Sequence, residues 1–147
     1  MIPLNPWEYQ NAIKALYASC VEAVCEKHKI TRMELDILLF LANNPHFDTA
    51  TEIIEIRYLS KSQVSASVKL LEKCGYLKKE YAKDNRKTAH LKICDKASDI
   101  VADGKQAQER FVEIMLRGFS EDEKECIRRY FEHIWKNIND CLKEETE

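Results

Sequence analysis

Between Arg57 and Lys96 the chain collects side chains that can bind phosphate and read the edge of a base. The stretch holds eleven Lys or Arg (Arg57, Lys61, Lys69, Lys73, Lys78, Lys79, Lys83, Arg86, Lys87, Lys92 and Lys96) against four acids (Glu72, Glu80, Asp84 and Asp95), a net +7. Residues 1–56 carry −4 and residues 97–147 carry −5, in a chain whose total is −2. Phosphate backbones attract such a segment, and the acidic flanks are held off. Ser62, Gln63, Ser65, Ala66 and Lys69 fall on the side of a predicted helix that points away from Val64, Val68 and Leu71, and Lys61 opens that helix. Gln63 can bond an adenine edge in the major groove. Lys61 and Lys69 suit phosphate, which positions a protein without specifying sequence. Ser62 and Ser65 can reach bases or phosphates, and Ala66 meets a thymine methyl or permits close approach. Further on, Lys83-Asp84-Asn85-Arg86-Lys87 forms a charged turn. Arg86 suits the minor groove, with Asp84 expected to hold its guanidinium by a charge-assisted pair. An Asp-x-Arg turn alone would be a surface pair of little consequence. Its setting in a basic hairpin favours the functional reading.

The other reactive residues show no such order. The four histidines (His28, His46, His90 and His133) form no H-x-x-x-H pair, and the chain has three glycines and no G-x-S-x-G, phosphate loop or dinucleotide fingerprint. An enzyme is not expected, nor a cofactor. Nor is a metal expected, since Cys25, Glu26 and His28 do not share a helical face. The six cysteines (Cys20, Cys25, Cys74, Cys94, Cys126 and Cys141) are scattered without a C-x-x-C. With no basic start followed by an apolar core, they read as reduced thiols of a cytoplasmic protein. No apolar run approaches membrane-spanning length.

The elements that must carry the basic residues can be read in order. Residues 5–28 form a first helix, with Asn5 as cap, Pro6 in the first turn and a stripe of Tyr9, Ile13, Leu16, Cys20 and Val24. Thr31 to Glu34 is a capping box for a second helix, stopped at Asn43-Asn44-Pro45. Phe47-Asp48 is expected to add a minimal edge strand. Thr49 to Glu52 caps a third helix running through Tyr58, and Ser60 to Gln63 caps the fourth, which Gly75 ends. Tyr76 to Tyr81 and Thr88 to Ile93 are predicted strands around the charged turn. Helix, turn, helix and hairpin make a winged helix-turn-helix over 31–96, in a mainly α chain with a small β-hairpin (α+β). A further helix runs from Asp95 to about Arg117, with Gly104 marking a bend. Gly118 ends it, and Ser120 to Glu123 caps a last helix bearing Ile127, Tyr130, Phe131, Ile134, Trp135, Ile138 and Leu142. The helices in 1–30 and 97–147 are too apolar on one side to stand alone in water. A homodimer covers them best, and a two-fold dimer presents two recognition helices to a palindrome. A monomeric helical cap is the simpler alternative.

Several of these pieces together resemble the MarR family of bacterial transcription regulators. They are Thr49-Ala50-Thr51-Glu52-Ile53, Ser60-Lys61-Ser62-Gln63-Val64-Ser65, Leu71-Glu72-Lys73-Cys74-Gly75-Tyr76-Leu77, Asp84-Asn85-Arg86, and Leu91-Lys92-Ile93 with Asp95-Lys96. Asn85 stands where a second wing arginine is common in the family, and Ser98 where a glycine usually opens the next helix. The resemblance implies a homodimeric regulator of double-stranded DNA with a pseudo-palindromic operator. It further implies a repressor released by a small apolar or phenolic ligand, or a thiol sensor oxidised by peroxide. Tyr17, Phe40 and Phe111 are the candidates for a ligand cleft, Cys20 and Cys25 for the thiol. The bland readings are a plain aromatic core and cysteines packed as small hydrophobes. A protein-interaction module with no DNA binding is the alternative of a different class.

Overall fold

The computed structural model describes residues 5–57 and 59–145. Six α-helices and one hairpin follow in order. They are α1 (Pro6–His28), α2 (Arg32–Asn43), α3 (Ala50–Arg57), α4 (Lys61–Lys73), β1 (Leu77–Glu80), β2 (His90–Ile93), a 3₁₀ turn (Asp95–Ala97), α5 (Ser98–Met115) and α6 (Glu121–Glu144). The expected end of α3 at Tyr58 lies outside the described residues. The chain divides into two compact units, one ending at Phe111 and one beginning at Val112.

Local chemistry starts most of the helices. Asn5 accepts from the Trp7 amide, with Pro6 in the first turn of α1. Thr31 and Glu34 make both halves of a capping box at α2. Thr49 Oγ1 accepts from the Glu52 amide but donates back to the Glu52 carboxylate, so the box at α3 closes on the side chain. At α4 the box is half made: the Gln63 amide donates to Ser60 Oγ at 3.5 Å, and no bond returns from the Gln63 side chain to the cap. The end of α4 is a Schellman motif. Tyr76 N–H donates to Leu71 O (2.9 Å) and Gly75 N–H to Glu72 O (3.0 Å), with Gly75 at φ +79°.

The first unit is built on one core. Leu35, Leu38 and Leu39 of α2 pack with Ile53 of α3, Val64, Val68 and Leu71 of α4, Leu77 and Leu91 of the hairpin, and Ile100 of α5. Each such side chain contributes about 1.5–3 kcal/mol by leaving water. At Gly104, the expected place of a bend, α5 continues as one helix. The glycine is there for closeness. A Cβ at Gly104 would lie 2.8 Å from Leu39 Cδ2 and 3.2 Å from Leu35 Cδ1, so only a residue without a side chain lets α5 sit this near α2.

The hairpin is antiparallel, with Leu77 opposite Ile93 and Glu80 opposite His90. The expected edge strand at Phe47-Asp48 does not form, because the sheet has two strands. A backbone bond from Leu91 N–H to Asp48 O (2.7 Å), with side-chain bonds from His90 and Lys92 to the same residue, takes its place.

In the second unit, Gly118 turns the chain at φ +87°, and Ser120 with Glu123 makes a full capping box. No residue of α6 is buried. Tyr130, Phe131, Ile134, Trp135 and Ile138 are all exposed, Trp135 by 56%. The same is true of Trp7, Tyr9 and Ile13 in the first half of α1.

Candidate nucleic-acid interface

The outward face of α4 is set by what its inward face must bury. Val64, Val68 and Leu71 are nearly inaccessible, and the helical period then leaves Ser62, Gln63, Ser65, Ala66 and Lys69 exposed, while Lys61 is exposed as the first residue of the helix. The Ser62 hydroxyl shares a hydrogen bond with Ser60 Oγ (2.9 Å), which occupies one of its bonding positions.

The loop joining β1 to β2 exposes Lys83, Asp84, Arg86 and Lys87. The expected pair between Asp84 and Arg86 is not among the ion pairs of the described residues. Asn85 shapes the turn instead. Its Oδ1 accepts from the amides of Lys87 (3.0 Å) and Thr88 (3.3 Å), and its Nδ2 donates to Thr88 Oγ1 (3.0 Å). Its own N–H donates to Ala82 O (3.2 Å). A short side-chain amide satisfies several backbone groups of a tight turn at once, which a salt bridge between Asp84 and Arg86 would not do. The preference of asparagine for turns was the available signal in the sequence.

The cations of the +7 segment divide into two sets. Lys78 pairs with Glu80 (3.1 Å), Lys79 with Glu72 (3.2 Å), Lys92 with Asp48 (3.5 Å), and Arg57 reaches Asp36 at 4.0 Å. Lys96 donates to Cys74 O (2.7 Å) and lies over the Tyr76 ring. These five are engaged within the first unit. Lys61, Lys69, Lys73, Lys83, Arg86 and Lys87 make no ion pair among the described residues, and they lie on α4 and in the hairpin loop. Apart from Lys96, the charge of the segment that no acid neutralises therefore lies on two elements that can enter grooves.

Comparison with known proteins agrees with this architecture. Residues 28–87 match the MarR family. Solved structures extend the likeness over nearly the whole chain. A MarR-family transcriptional regulator from Listeria monocytogenes, complexed with a 26mer DNA, superposes with a TM-score of 0.79 at 19% identity, covering 95% of this chain and 91% of that one. A MarR protein from Peptoclostridium difficile gives 0.75 at 20%, covering 95% and 92%. The S. aureus MepR–DNA complex gives 0.73 at 12%, covering 92% and 96%. At these identities the likeness is one of fold. No curated protein matches.

Around this core, the residues expected to bind an effector are only partly brought together. Tyr17 and Phe111 meet edge to face with centroids 5.2 Å apart. Tyr17 Oη accepts from Gln108 Nε2 (3.0 Å), and the Arg32 guanidinium lies 4.6 Å from its ring centre. Phe40 stays in the core, 6% exposed. Cys20 and Cys25 are half-buried free thiols. Burial pushes the Cys25 thiol up from its ordinary value, against the pull of Arg32. A peroxide-reactive cysteine needs the opposite shift, toward thiolate. Among the described residues no group of three or more His, Cys, Asp or Glu is placed to hold a metal ion, and no helix is long and apolar enough to cross a membrane.

Proposed function

We propose that this protein is a cytoplasmic transcription regulator of the MarR type that binds double-stranded DNA as a homodimer, at an imperfect palindrome. The observation that carries the proposal is the partition of the basic segment. Four of its cations are ion-paired and Lys96 is held by a carbonyl oxygen, and the remaining six, without such a partner among the described residues, lie on α4 and on the hairpin loop. In this reading α4 lies in the major groove. There Gln63 reads a base edge, Ser65 and Ser62 reach bases or phosphates, Ala66 allows close approach, and Lys61 and Lys69 hold phosphates. The loop with Lys83, Asp84, Arg86 and Lys87 lies along the minor groove, where Arg86 enters. Exposed apolar residues on α1 and α6 support the dimer. Two copies then place their α4 helices about 34–36 Å apart, one turn of duplex. A dimer seated on DNA in this way acts as a repressor by occupying the site.

Release is assigned to a small apolar or phenolic ligand. The edge-to-face packing of Tyr17 with Phe111 and the Tyr17–Gln108 bond offer such a ligand an aromatic wall and a polar handle. The thiol alternative, through Cys20 or Cys25, is weakened at Cys25, where burial disfavours the thiolate. The test is selection of a duplex from a randomised pool by the full-length protein, followed by anisotropy titration against it and a scrambled control at two salt concentrations. Preference for a palindromic sequence is expected. Equal affinity for both duplexes, or no binding at low salt, would remove the regulator reading and reassign the basic segment to an acidic protein partner.

A further inference from the structure

We infer that Asp48, in the loop between α2 and α3, is a positioning residue for the wing: it grips the start of β2 and so sets where the loop carrying Arg86 meets DNA. The inference rests on the DNA-binding reading above and adds to it a residue outside the recognition helix and the wing.

Three bonds converge on Asp48. Its carbonyl accepts the Leu91 N–H at 2.7 Å. One carboxylate oxygen accepts from His90 Nδ1 at 2.7 Å, and the other from Lys92 Nζ at 3.5 Å. One loop residue therefore holds three consecutive residues of β2, by backbone and side chain together. The hairpin needs such a hold, since an isolated two-stranded ribbon is marginal in water. Its inner face is anchored by Leu77 and Leu91, 2% and 3% exposed. On its outer face stand Lys78, Glu80, His90 and Lys92, with Lys78 paired to Glu80 and Glu80 opposite His90. Lys79 ties β1 to Glu72 of α4, and Asp48 does the same for β2 from the other side. Burial alone would raise the Asp48 carboxyl, but the bonds from His90 and Lys92 outweigh it and hold the group below its ordinary value, so the anchor is ionised at neutral pH. Bonds of this charge-assisted kind are about twice as strong as neutral ones.

The sign of a mutation separates this role from a purely electrostatic one. Asp48 is an acid beside a surface that binds phosphate. If only its charge mattered, removing it would tighten binding to any duplex. As an anchor, its removal loosens the wing and weakens binding.

The experiment uses the full chain, the selected duplex, and a shortened duplex that lacks the flanks reached by the wing. Asp48→Ala is expected to weaken binding to the long duplex on the order of tenfold, the size of one charge-assisted bond. It is expected to leave binding to the short duplex unchanged. It should add little in an Arg86→Ala background, because it acts through the same side chain. Amide exchange at Leu91 should quicken in the free protein. If Asp48→Ala unfolds, Asp48→Asn and His90→Gln carry the same test with smaller changes in volume. Unchanged or tighter binding, or full additivity with Arg86→Ala, would overturn the anchor. If Arg86→Ala weakens binding and the Asp48 variants do not, the anchor alone fails. If Arg86→Ala binds as the wild type does, the wing contact and its anchor both fail while DNA binding through α4 stands; if the wild type selects no duplex, the DNA-binding reading itself fails.

Discussion

Gln63 and Lys69 sit on the same exposed face of α4, but they should fail differently when removed. Gln63→Ala is expected to cost about 1–3 kcal/mol per half-site on the selected duplex and to relax preference at that base, because base-edge bonds carry sequence information. Lys69→Ala should weaken all duplexes alike and make the salt slope shallower by about one for each phosphate no longer neutralised, because pairing a lysine with phosphate releases counterions whatever the sequence. Anisotropy titrations at several salt concentrations separate the two. If both variants lose the same factor on selected and scrambled DNA, Gln63 is not reading a base. Gly104 offers a residue-scale test of the core. Alanine there gains about 1 kcal/mol of helix propensity. Its Cβ would meet Leu39 and Leu35 at 2.8 to 3.2 Å, and both leucines are buried with little room to move. Overpacking costs typically about 1–3 kcal/mol, so a net loss of about 1 kcal/mol is expected in urea unfolding. A stabilised Gly104→Ala would mean that α5 can back away from α2 freely.

The wing is the element whose internal structure departs furthest from its expected form. Its tip is braced by Asn85 rather than by an Asp84–Arg86 pair. Asn85→Ala should therefore weaken binding to a flanked duplex by about 1 kcal/mol, the size of a hydrogen-bond set at a surface turn. Thermal stability should barely change, because the turn is exposed; a large drop in melting temperature would place Asn85 in the fold rather than in the wing alone. Between α1 and α5 one link is Asp103, which accepts from Lys27 (2.8 Å) and His28 (2.7 Å). The bonds from Lys27 and then His28 hold its carboxyl below the ordinary value. A depressed carboxyl contributes stability that is present above its unfolded value and is lost as pH falls through the folded one. Stability should thus decline below about pH 4, the ordinary carboxylate region. Asp103→Asn should flatten that acid limb in a series of urea midpoints. An unchanged limb would assign acid sensitivity to other carboxyls.

At the scale of the whole molecule, the exposed apolar residues of α1 and α6 call for a partner surface. Sedimentation at micromolar concentration should give twice the 17.2 kDa chain mass. A single-chain mass that persists as concentration rises would remove the dimer and leave those residues for another partner. Deleting residues 120–147 should abolish the dimer and leave aggregating protein, since helices in such a dimer cover each other's apolar stripes.

Charge and local chemistry were legible from the chain alone. The +7 segment, the caps at Asn5, Thr31 and Ser120, the stop at Gly75 and the buried face of α4 depend on residues within a turn or two of each other, where spacing decides geometry. Such information was enough for the winged helix and for the exposure of Gln63, Lys69 and Arg86. It was not enough for pairings between distant segments. Asp48 meets His90 across 42 residues of sequence, and Gln108 meets Tyr17 across 91. Nothing in the spacing of those residues selects one partner over another. Packing of Leu35, Leu39 and Gly104 decides how near α5 comes to α2, and the burial of Leu91 decides which β2 residues face Asp48. The same limit applied at Asn85, where several backbone groups compete for one side chain and only the closed turn settles which are satisfied. Which surface is basic, and which elements carry it, follows from the order of residues along the chain. Which cations stay unpaired, and what holds the wing, follows instead from distances that the common core sets between segments far apart in that order.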